Sequence, residues 1–149
     1  MDDVRETAQQ QVWQRVFQRQ EEPPRDDLRS LQMAAAELVS LYRYLQGVTA
    51  GKQRELVRLL YEGETATLAA LKGVGVLSGK GEEVLKLWNP GKETERHLLE
   101  KCYHKTRRCM VAYMGNSAEP EFGAVFRALA DREARHCLLL AQLLGMKCG

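Results

Sequence analysis

The chain has 149 residues, enough for one domain with a substantial core. Hydrophobic residues at 44% and charged residues at 28% exclude a disordered or fibrous chain. Lys plus Arg number 22 against 20 Asp plus Glu; a net charge of +2 with no basic stripe argues against a dedicated nucleic-acid binder.

Residues 1–25 read as a separate N-terminal unit. Val12, Trp13, Val16 and Phe17 recur at helical spacing over 4–19, and the polar Glu21-Glu22-Pro23-Pro24 follows as a stiff linker. Residues 26–149 read as a bundle. Asp26 or Asp27 caps a first long helix that carries Leu28, Leu31, Leu38, Leu41 and Leu45 as far as Gly47. After a short turn, a second helix carries Leu56, Leu59, Leu60, Leu68 and Leu71 up to a break at Gly73-Val74-Gly75. The glycine-rich stretch 73–91 forms a connection containing Val84 and Trp88. A third helix is predicted from about 92 to 115 and a fourth from about 119 to 144, with Pro120 in its first turn. No window alternates as a strand does, so the fold class is all-α. Two hairpins joined by a connection long enough to cross the bundle give a four-helix bundle with one long crossover, plus the extra N-terminal helix.

No leader of the basic-then-apolar kind opens the chain. The most apolar stretch, Cys137 to Met146, falls short of the roughly twenty residues a bilayer span needs. Cysteines 102, 109, 137 and 148 form no CxxC pairs and have largely apolar neighbours, which reads as reduced thiols in a cytoplasmic protein without membrane attachment.

The two hairpins repeat. A shift of 69 residues lays Tyr44 on Tyr113, Leu60 on Leu129, Glu64 on Glu133 and Leu71 on Leu140. At about 1.5 Å rise per residue, Glu37 and Thr106 lie about 16–18 Å before their turns, and Glu64 and Glu133 about 22–24 Å after them. All four helices thus bring a polar residue to mid-bundle height. Glu133 and His136, three apart, share a face. Three carboxylates and an imidazole in a core are costly unless protonated, hydrogen-bonded or metal-bound. Such a donor set suits iron or manganese, with zinc a competitor.

Glu37-Leu38-Val39-Ser40-Leu41-Tyr42-Arg43-Tyr44, Glu64 followed by Leu68 to Gly75, and Glu133-Ala134-Arg135-His136 resemble motifs of the ferritin-like superfamily, and within it the rubrerythrin-like bundles. The resemblance covers about residues 26–145. It implies metal ligation by Glu37, Glu64, Glu133 and His136, with Tyr44 and Tyr113 bonded to the carboxylates from behind. It also implies iron-dependent chemistry on dioxygen or peroxide, or iron handling, an external electron donor, and a homodimer. The chain departs from the family at Thr67, where a second histidine is expected, and at Thr106, where a carboxylate is. Cys102, Tyr103 or Cys109 could substitute for a lost ligand, whereas His104 points away from Thr106 and His97 lies over two turns off. The cysteines cannot build a rubredoxin-like iron module. Two alternatives stay open: Glu62 competes with Glu64 for the inward place, and the polar residues could instead form a metal-free network in an inactive bundle that serves as an interaction or structural module.

Overall fold

The computed structural model describes residues 27–79 and 91–148. The predicted N-terminal helix and the Val84–Trp88 region lie outside the described residues. The described chain forms four helices: α1 (Leu28–Val48), α2 (Gly51–Leu77), α3 (Glu95–Gly115) and α4 (Gly123–Cys148). No strand occurs among the described residues, and none of their helices is long and apolar enough to cross a membrane.

Local chemistry sets the helix ends. The Asp27 carboxylate accepts from Ser30 N at 2.9 Å, and the Thr94 hydroxyl from His97 N at 3.2 Å, each satisfying an amide that the first turn leaves open. Thr94 therefore starts α3 at Glu95 rather than near residue 92. Between α1 and α2, Gly51 takes φ +60°, a left-handed conformation that disfavours any side chain. α4 begins at Gly123, later than predicted, because residues 117–122 turn tightly. A methyl at Gly123 would stand 3.1 Å from the Ser117 carbonyl carbon.

The glycines at 73 and 75 do not break α2, which runs on to Leu77. Each helix-interior glycine costs about 1 kcal/mol relative to alanine. Val74 at 6% exposure and the buried Gly75 keep the stripe packed, and this burial outweighs that penalty.

The Gln32 side chain donates to Leu71 O at 3.1 Å, tying the start of α1 to the end of α2. Leu28 and Leu31, Val74 and Ser78, and Asn116 and Phe126 line one cavity of about 340 Å³. The start of α1, the end of α2 and the α3–α4 turn thus meet at one end of the bundle, and α2 and α3 run in the same direction. α1 packs on α2 and α3, and α4 on α3 and α2, leaving α1/α4 and α2/α3 as the diagonals.

The seams step alternately three and four residues. Leu31, Ala35, Leu38, Tyr42 and Leu45 are buried on α1, and Cys102, Thr106, Cys109 and Tyr113 on α3. α2 buries Val57, Leu60, Glu64, Thr67, Leu71 and Val74; α4 buries Phe126, Leu129, Glu133, His136, Leu140 and Leu143. This is the heptad-like repeat of helices crossing at shallow angles. Its middle layer is polar, closed above and below by leucine, valine and phenylalanine.

Candidate metal centre

Glu64 on α2 and Glu133 and His136 on α4 occupy seam positions where the repeat otherwise places apolar residues. The two carboxylates are fully buried and His136 is 4% exposed. One donor atom from each lies within 4.8 Å of the others. His136 Nδ1 stands 3.2 Å from Glu64 Oε2 and 3.7 Å from Glu133 Oε2. Neither approach is aligned as a hydrogen bond, so Nδ1 and all four carboxylate oxygens lack a hydrogen-bond partner. Five unpartnered donor atoms converging in a dry core form an arrangement that protein groups alone do not satisfy.

Electrostatics give the same picture. Burial, with the neighbouring Glu133 adding to it and His136 opposing, holds the Glu64 carboxyl well above the usual carboxylate range. For His136, burial disfavours the charged ring, yet Glu133 and Glu64 outweigh it and push the imidazole up to about 9. The metal-free cluster therefore holds protons, and two of them leave it neutral: an imidazolium, one carboxylate and one carboxylic acid. A divalent cation neutralises the deprotonated set equally well. Two carboxylates and one imidazole fit such an ion, which would keep coordination positions open.

α2 wraps closely around the imidazole. A methyl at Gly63 would lie 2.8 Å from His136 Cε1 and closer still to Nε2. The ring thus rests on the backbone of α2 with Nδ1 turned to the carboxylates. Gly63 was not among the sequence candidates; its signal is a glycine inside a helix, next to a carboxylate on the buried seam.

Glu64 takes the inward place, while Glu62, with its side chain 57% exposed, pairs with Arg58 at 2.6 Å. Glu37 does not join the cluster. It lies at the edge of the α1–α3 contact, ion-paired with Lys105, and keeps 28% side-chain exposure. The reason is register. Buried positions of α2 map onto α4 at a shift of 69, but Leu31, Ala35, Leu38 and Tyr42 map onto Cys102, Thr106, Cys109 and Tyr113 at a shift of 71. Ala35, not Glu37, is the counterpart of Thr106.

The same two-residue difference exchanges the tyrosines. Tyr44 is 38% exposed, and Tyr42 takes the buried place, its hydroxyl 3.2 Å from Thr106 Oγ1. Tyr113 is buried and stacks on Phe126 with ring centroids 6.4 Å apart, and its hydroxyl has no hydrogen-bond partner. Neither tyrosine bonds a carboxylate. Thr67 and Thr106 are both fully buried. Thr67 Oγ1 accepts from Arg132 at 3.1 Å.

Cys102 and Cys109 are buried free thiols on the Thr106 face, and burial pushes the Cys102 thiol up, away from the thiolate a metal requires. Neither belongs to the donor cluster. His104 and His97 are exposed.

No protein-family model matches the chain, and neither a curated protein nor a solved structure matches it. The reading of the centre therefore stands on its residues.

Proposed function

We propose that the protein is a metal-binding four-helix bundle that holds a divalent first-row ion, iron or manganese, through Glu64, Glu133 and His136. The observation that carries this reading is the set of five buried donor atoms without hydrogen-bond partners, gathered from two helices. An ion held by three protein ligands has room for an exogenous oxygen ligand. Together with the resemblance to rubrerythrin-like bundles, this favours a role in peroxide or oxygen defence, or in iron handling, with an external electron donor.

The second reading is a metal-free bundle that acts through its surface, its cluster neutralised by protons. The pKa directions of Glu64 and His136 favour it as the resting state of the unloaded protein. Elemental analysis of protein purified without an affinity tag or chelator, before and after anaerobic ferrous loading, separates the two. Stoichiometric iron or manganese in the native chain, lost in His136→Ala with helicity retained, is the expected result. No stoichiometric metal before or after loading overturns the metal reading and leaves the bundle as a scaffold.

A further inference from the structure

The relation between α2 and α4 extends beyond the buried seam, and it assigns opposite roles to two residues. At the shift of 69, Glu64 corresponds to Glu133, and Thr67 to His136. At the same shift Gly63 corresponds to Arg132. The contact between Gly63 and His136 and the contact between Arg132 and Thr67 are therefore the same place in the two halves of the bundle, filled in opposite ways. In one half the α2 residue has no side chain, and an imidazole from α4 lies against its backbone. In the other, the α4 residue is an arginine whose guanidinium donates at 3.1 Å to a threonine on α2.

We propose, resting on the metal reading above, that this exchange makes the centre mononuclear: Gly63 opens the half that holds the ion, and Arg132 closes the other. Glu64 and Glu133 are equivalent under the relation, so each faces both halves, and the third donor decides which half can bind. His136 supplies it in the first half. In the second, Thr67 offers a neutral hydroxyl, a weak ligand for a divalent ion, and its oxygen already accepts from Arg132. The permanent positive charge of that guanidinium opposes a second cation. Gly63 is a positioning residue: it fixes the imidazole with Nδ1 toward the carboxylates, and support of this kind is worth roughly 10- to 100-fold in metal affinity.

The test is cobalt(II) titration of the full chain, read by elemental stoichiometry and by the visible absorption that reports coordination geometry. The expected wild-type result is one ion per chain. Gly63→Ala weakens binding at least about tenfold and alters the absorption. Gly73→Ala, the same change on the same helix where nothing lies within 4 Å, leaves both unchanged. The paired Thr67→His and Arg132→Gly variant, with helicity checked by circular dichroism, takes up a second ion. Two ions in the wild type, or equal effects of the two alanines, overturn the inference while the metal reading stands. No ion in the wild type overturns the metal reading itself. If the paired variant does not fold, the contrast between Gly63→Ala and Gly73→Ala decides alone.

Discussion

The two sides of the polar layer solve the same problem differently. Between α1 and α3, Tyr42 and Thr106 hydrogen-bond each other and Glu37 pairs with Lys105. Between α2 and α4, Glu64, Glu133 and His136 converge without aligned partners. A buried polar group that has found a protein partner contributes to the fold; one that has not points to a ligand outside the chain. The single lapse on the α1–α3 side makes the same point. By the 71-residue relation, Tyr42 with Thr106 corresponds to Tyr113 with Ala35, and Ala35 has no hydroxyl to offer.

The comparison breaks most visibly if the α2–α4 carboxylates are replaced by leucine, which is similar in volume. Glu64→Leu with Glu133→Leu abolishes metal binding and raises the stability of the metal-free protein by roughly 1–4 kcal/mol, measured by urea unfolding in chelator. A loss of stability would mean that the carboxylates are satisfied in solution.

Titration sharpens the contrast next. Glu64 and His136 both have folded-state pKa values raised above the unfolded ones. Each therefore stabilises the metal-free fold at low pH and loses that contribution as pH rises. For His136 the window runs from about 6.5, its unfolded value, to about 9. Metal binding requires the same groups deprotonated and so gains over that range. The melting temperatures of loaded and metal-free protein should diverge as pH rises from 6.5 to 9, and parallel curves would contradict the assignment.

Smaller effects are expected on the α1–α3 side. Tyr42→Phe strands the buried Thr106 hydroxyl and costs roughly 1–2 kcal/mol, whereas Tyr113→Phe, which removes a hydroxyl with no hydrogen-bond partner, is close to neutral. Denaturant midpoints of the two variants compare them directly. Least of all, Lys105→Met weakens a partly exposed pair by under about 1 kcal/mol and leaves metal content unchanged. A fall in bound metal there would return Glu37 to the centre.

The four helices, the Asp27 cap and the convergence of Glu64 with Glu133 and His136 were legible because each rests on short-range spacing. The α1–α3 register was not. Apolar residues on both helices match at several shifts, so the Tyr44–Tyr113 coincidence drew the alignment two residues away from the packing. The buried series Leu31, Ala35, Leu38, Tyr42 is itself periodic, but Ala35 is too small to announce a core position. Glycine misled in both directions. Gly73 and Gly75 resemble a break, although α2 packs through them, and Gly63 goes unnoticed until His136 is seen against it.

The centre joins α2 to α4, and these belong to different hairpins. Each hairpin is built from contacts close in sequence and forms early, while the Glu64–Glu133 approach must await their docking. An ion held there would act as a clasp on the last folding step. It would leave the rate of hairpin formation untouched and slow the separation of the halves, so that the lifetime of the native state, more than the speed of reaching it, would depend on metal supply.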